Sequence, residues 1–250
     1  MILIKLGGSV LTNKDREYCF RTDVVERLIR EIKKSSAEEY IIVHGGGSFG
    51  HPGAEKYDLN KENTEKPAEG MSKVQLDMRR MNNHILEMML DEDIWGVSIP
   101  GGLVTIFEDG ELYELDHEIF QRYLSLGTVP VSFGDVAIDK DRRVTICSGD
   151  DIMLGLSSLA DKAIFVSDVD GIYKDKNLKD EFTEDMLPLE PEDLPEQEEA
   201  IDVTGGMNQK VKKMVEIAKK TETYLINGDE KDRLRKILNG DEVICTEVKR

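Results

Sequence analysis

The chain has 250 residues, 39% hydrophobic and 34% charged, with a formal charge of −18. That is ample length for a real core, and the acidic balance excludes nucleic-acid binding through the general surface while leaving room for a phosphorylated small molecule in a local basic pocket. No apolar run approaches the ~20 residues of a membrane span, and Cys19, Cys147 and Cys245, odd in number and without CxxC spacing, point to a reducing cytosol rather than to zinc or disulfides. In chain order, residues 2–6 read as a strand, 22–34 as a helix, and 40–44 as a strand covered on both faces. A polar loop at 58–67 leads into a long helix over 69–90, followed by a short strand at 96–99 and a hairpin at 104–115 turning at Asp109-Gly110. Then come a helix at 118–126, a buried strand at 129–133, a second hairpin at 136–146, and a helix opening at Ser148-Gly149-Asp150-Asp151. A strand at 163–167, a helix at 209–220, a strand at 223–226, a helix at 231–238 and a closing strand at 243–247 complete the pattern.

Alternation of strand-length and helix-length segments predicts an α/β fold, a three-layer αβα sandwich with a mainly parallel central sheet. With no repeat and no clean linker, residues 1–250 read as one domain whose two halves share one continuous sheet. The stretch 175–202, rich in Asp and Glu and carrying Pro188, Pro191 and Pro195, is expected to be a solvated excursion rather than sheet.

The chemistry concentrates at strand ends. Lys5 interrupts the apolar run of the first strand one residue before Gly7-Gly8-Ser9. In an open α/β sheet, ligands sit at that carboxyl end, so a lysine beside a glycine turn and a helix start suits a phosphate chain. A second glycine loop, His44-Gly45-Gly46-Gly47-Ser48-Phe49-Gly50-His51, follows the second strand. It satisfies G-x-G-x-x-G literally, but it does not follow the first strand and is bracketed by histidines, both of which tell against a dinucleotide. Two such loops suggest two anionic groups face to face. His51, just before Pro52, is expected at a helix mouth as a phosphate ligand, and His44 as a structural strand-end residue.

Ser148 or Asp150 can cap the next helix, but capping accounts for one residue of the Asp150-Asp151 pair and not both; tandem aspartates also organise lysines or a hydrated Mg2+. The turn Ser167-Asp168-Val169-Asp170-Gly171-Ile172-Tyr173 can hold a nucleotide's sugar or form an Asx turn. Gly205-Gly206 precede a helix bearing Lys210 in its first turn, where a cation opposes the helix dipole unless a phosphate faces it. No P-loop and no protein-kinase motif set is present.

Taken in order, Lys5 to Ser9, the second glycine loop, Ser167 to Gly171 and Thr204 to Lys210 resemble the amino acid kinase superfamily over most of the chain. Within it, the stretch ending at His51, Ser148 to Asp151, and Lys14 are similar to the isopentenyl phosphate kinase family. That resemblance implies ATP-dependent phosphorylation of isopentenyl phosphate to the diphosphate in an alternative mevalonate pathway of archaea, with ATP and Mg2+, in a cytoplasmic homodimer. It assigns Lys5, Gly7, Gly8, Ser9, Gly47, Asp168, Asp170, Gly171, Tyr173, Gly205, Gly206 and Lys210 to the nucleotide. Gly46, Gly47, His51 and Gly149 fall to the acceptor phosphate, and no side chain to a metal. Catalysis falls to Lys14, His51, Lys5 and Lys210, with Lys14 stabilising the phosphoryl group in transit. Residues 1–145 then form roughly the acceptor half and 146–250 the nucleotide half. A fosfomycin-type or acylamino-acid kinase, or a non-catalytic nucleotide-binding protein, is the alternative. In the long helix, Met71, Val74, Met78, Met81, Ile85 and Met88 recur at helical spacing. They read first as a core stripe, part of which can line a pocket for a branched hydrocarbon.

Overall fold

The computed structural model describes residues 1–13, 15–61, 64–194 and 206–250. It runs β1 (Ile2–Leu6), α1 (Gly8–Leu11), α2 (Thr22–Lys33), β2 (Tyr40–His44), α3 (Gly47–Lys56), α4 (Pro67–Asp91) and β3 (Gly96–Pro100). Next come α5 (Gly101–Val104), β4 (Thr105–Glu108), β5 (Glu111–Leu115), α6 (His117–Ser125), β6 (Val129–Phe133), β7 (Asp135–Asp139) and β8 (Arg143–Cys147). The last part holds α7 (Gly149–Leu156), β9 (Lys162–Ser167), β10 (Tyr173–Lys174), β11 (Asn177–Leu178), β12 (Glu181–Phe182), α8 (Gly206–Ala218), β13 (Glu222–Asn227), α9 (Arg233–Asn239) and β14 (Thr246–Val248).

Eight strands form one sheet in the order β12-β14-β13-β9-β1-β2-β6-β3. Every pairing in it is parallel except β13 with β14. The two hairpins join through a parallel β4–β7 pairing into a separate four-stranded sheet, β5-β4-β7-β8.

Strand side chains alternate between faces, and those of β1 divide between two cores. Leu3 joins a core built with Phe120 of α6, Ile152 and Leu156 of α7, and Met214 of α8. Ile4 and Leu6 join the opposite core, with Leu28 and Ile32 of α2, Met81 and Ile85 of α4, and Leu234 of α9. Two cores on two faces make the sandwich three-layered. Helix α2 buries Val24, Val25, Leu28, Ile29 and Ile32, the three-and-four spacing of a single apolar face. Each fully buried aliphatic side chain contributes about 1.5–3 kcal/mol. Lys5, between Ile4 and Leu6, therefore leaves the sheet on the α7–α8 face, at its carboxyl end.

Three expectations need correction. The acidic segment does contribute sheet, because β12 pairs with β14 at the edge and Phe182 is completely buried. One aromatic and Leu189 are enough to anchor it, helped by the buried Asp193, which accepts N–H groups from Asp175 and Glu190 and pairs with Lys174; residues 195–202 of it lie outside the described residues. The closing strand is only Thr246–Val248, since Val243 and Cys245 pack against the core without joining the ladder. The third concerns the second glycine loop: α3 starts at Gly47, so His51 and Pro52 sit inside the helix rather than at its mouth.

Candidate active site

The two glycine loops meet backbone to backbone. A Cβ on Gly8 would lie 2.4 Å from the Gly47 nitrogen, and one on Gly47, whose φ is +46°, would lie 2.2 Å from Thr12 Oγ1. Neither position has space for a side chain, and Gly47 also has a backbone that L-residues adopt only under strain. Around this contact lies a cavity of about 490 Å³. Helices α1, α3, α7 and α8 all begin at it, their first residues Gly8, Gly47, Gly149 and Gly206 being part of its lining. Helix starts carry unpaired N–H groups and partial positive charge, so this end of the cavity favours anions.

Three lysines and a histidine are in its lining: Lys5, Lys210, Lys213 and His51. Lys5 Nζ is 2.5 Å from Asp150 Oδ1, with the lysine almost fully buried. Burial alone would raise the Asp150 pKa, but Lys5, with Lys210 and Lys213, holds it below the usual carboxylate range. Asp151 closes a capping box with Ser148 at the start of α7 and also pairs with Lys213. Each of the tandem aspartates thus organises one lysine, and capping alone indeed does not account for the pair. Ser9 donates to Asp168 at 2.7 Å, and Lys210 donates to Ser167 Oγ at 3.5 Å. Burial and then the neighbouring Lys5 lower the His51 pKa, which favours the neutral imidazole. Val74, Met78, Ile146 and Cys147 add apolar side chains to the lining, with Met78 close against Gly46 and Gly50 of the second glycine loop.

The model of the amino acid kinase family matches residues 1–227. The isopentenyl phosphate kinase of Methanothermobacter thermautotrophicus is 34% identical, over 99% of this chain and 98% of its own. The chain belongs to the isopentenyl phosphate kinase branch of the amino acid kinase family. The isopentenyl phosphate kinase of Thermoplasma acidophilum is also 34% identical, over 94% of each chain. A crystal structure of an isopentenyl phosphate kinase superposes with a TM-score of 0.85 at 30% identity, covering 99% of both chains.

In this family member the cavity brings together Lys5, Gly7, Gly8, Ser9, Gly46, Gly47, His51, Gly149, Asp168, Gly206 and Lys210. Asp170, Gly171 and Tyr173 do not line it. Asp170 instead pairs with Arg233 at 2.5 Å and accepts from Asn227, while Gly171 packs against Thr246, so this turn ties β9 to α9 and β14. Lys14 and Gly205 lie outside the described residues. His44 is structural: wholly buried, with ring nitrogens 3.2 Å from the Gly45 carbonyl and from Asn82 Oδ1, and stacked on Phe133.

The methionine-rich stripe divides. Val74 and Met78 reach the cavity, whereas Met81 and Ile85 are fully buried in the α2–α4–α9 core and do not line it. Sequence reasoning missed Lys213, although it follows Lys210 by three residues on one helix face. It also missed Ile146 and Cys147, whose hairpin reads as ordinary sheet.

Proposed function

We propose that the chain transfers the γ-phosphoryl group of ATP to the phosphate of isopentenyl phosphate, giving isopentenyl diphosphate and ADP. The observation that carries this is the cavity's mixed lining: His51 and three lysines share it with the apolar Val74, Met78 and Ile146. Such a cavity suits a phosphate on a small hydrocarbon better than an amino-acid derivative, whose charged groups would face apolar wall.

The nucleotide phosphates take the Gly7-Gly8-Ser9 and α8 side, with Lys5, Asp168, Gly206 and Lys210. The acceptor phosphate takes Gly46, Gly47, His51 and Gly149. An acceptor phosphate is already ionised at pH 7, so an oxygen attacks the γ-phosphorus without a general base. The barrier is repulsion between two polyanions, and fixed lysines, helix starts and the His51 N–H offset it. Lys14 serves the phosphoryl group in transit. Mg2+ would arrive with the nucleotide and be held through its phosphates, since Lys5 engages Asp150 and Ser9 engages Asp168. When bound, it neutralises charge on the transferred group.

One domain acts as a unit here, with the acceptor half N-terminal and the nucleotide half C-terminal. The protein works in the cytosol of an archaeal-type isoprenoid route, as a homodimer. In favour of a dimer, β3 ends the sheet among the described residues and carries no charge, and Leu90 and Trp95 beside it are exposed. The test is ATP turnover with isopentenyl phosphate, geranyl phosphate, fosfomycin and acetylglutamate. The highest kcat/KM should fall to isopentenyl phosphate; a preference for fosfomycin or acetylglutamate overturns the assignment.

A further inference from the structure

The two ends of segment 12–20, whose described residues are 12–13 and 15–20, come together beside the second glycine loop. Its base is the Thr12–Phe20 bridge, reinforced by Asn13 N–H donating to the Cys19 carbonyl at 2.9 Å. Glu17 from this segment lines the cavity, and Lys14 belongs to it in sequence.

What holds the segment down is unusual. Pro52 has no N–H, so the Ser48 carbonyl one turn earlier in α3 loses its helical donor. Tyr18 N–H fills the vacancy at 3.2 Å. Ser48 Oγ accepts from Cys19 N–H at 3.3 Å, and Ser48 N–H donates to Thr12 Oγ1 at 3.0 Å. Every polar atom of Ser48 is therefore committed to the segment. Farther out, Tyr18 OH donates to Asp77 Oδ2 of α4 at 3.1 Å, and Arg80 pairs with the other oxygen at 3.0 Å. The Tyr18 ring stands edge-on to Phe49, 5.5 Å between centroids. Tyr18 has φ +55°, a left-handed conformation that a bulky residue keeps only where its contacts impose it.

We propose that Tyr18 is a positioning residue for phosphoryl transfer: locked to Ser48 and Asp77, it latches residues 15–20 against the start of α3, from which His51 reaches the cavity. This rests on the proposed kinase function, and it makes the acceptor loop and residues 15–20 one mechanical unit.

The test compares Tyr18→Phe, Asp77→Leu, their double variant and the conservative Asp77→Asn, which keeps an acceptor oxygen. Tyr18→Phe and Asp77→Leu should each lower kcat about 5- to 10-fold, the range of one lost hydrogen bond. KM for ATP and Tm should stay near those of the parent. The double variant should be no worse than either single one, and Asp77→Asn should retain most of the rate. Amide exchange across residues 13–19 should accelerate in the same variants, with α3 and α4 unaffected. Unchanged kcat, multiplicative losses in the double variant, or unchanged exchange in the segment each overturn the latch. The exchange measurement needs no substrate, so a parent protein that fails to turn over isopentenyl phosphate refutes the proposed function while the latch is still judged.

Discussion

On the proposed reading, the smallest unit that decides the chemistry is a single imidazole. His51 lines the cavity and is proposed to hold the acceptor phosphate, so His51→Ala should cut kcat/KM for isopentenyl phosphate. Loss of one hydrogen bond to a charged phosphate is worth about 1.5–3 kcal/mol, on the order of 10- to 100-fold, while KM for ATP should hardly move. Steady-state kinetics with each substrate varied in turn checks this; equal losses toward both would place His51 with the nucleotide. A second histidine matters for stability instead. Burial lowers the His44 pKa to about 4 from 6.5. The folded pKa lies below the unfolded one, so this contribution is complete above pH 6.5 and is lost as pH falls toward 4. The shift corresponds to about 3 kcal/mol at the acid end. Urea unfolding at several pH values should show a shallower acid slope over that window for His44→Gln than for the parent. Matching slopes would mean that His44 takes up its proton without resistance.

Among elements, α4 carries two jobs along its length, and substitutions along it should separate them. Val74→Ala and Met78→Ala enlarge the cavity and should raise kcat/KM for geranyl relative to isopentenyl phosphate, by at most about 0.8 kcal/mol per methylene accommodated. Met81→Ala and Ile85→Ala open holes in the core, and should cost about 2–5 kcal/mol of stability with that ratio unchanged. Chain-length profiles beside chemical denaturation distinguish the two classes; a shifted ratio in Ile85→Ala would contradict the division. The same helix marks how far sequence reading reaches. Its apolar stripe is visible from spacing alone, but where core ends and cavity begins depends on the second sheet packed across its first half, which spacing does not encode. The strands were legible because continuous apolar runs have one use in a doubly covered sheet. The start of α3 was not, since three glycines and a later proline read as loop. The helix forms because Gly46 and Thr12 serve its first N–H groups and Tyr18 takes over the Ser48 carbonyl.

At the scale of the whole molecule, ties between early and late segments close the structure. Arg21 pairs with Asp229, and Glu31 accepts N–H groups from Asp232 and Arg235, as Lys5 pairs with Asp150 across the sheet end. Against these works a net charge of −18, whose self-repulsion is long-range and screened by salt, whereas the buried Lys5–Asp150 pair is screened little. Raising NaCl from about 0.05 to 0.5 M should therefore raise Tm in calorimetry; a falling Tm would mean that exposed ion pairs outweigh repulsion. The Gly8–Gly47 contact reaches further than stability. Two backbones already touching cannot be brought closer, and no side chain can be inserted without prising the loops apart. On the proposed reading, the interval between donor and acceptor phosphates is a gauge cut in main chain. Selection acting one codon at a time can widen or narrow the hydrocarbon pocket, while the span over which the phosphoryl group travels stays beyond its reach.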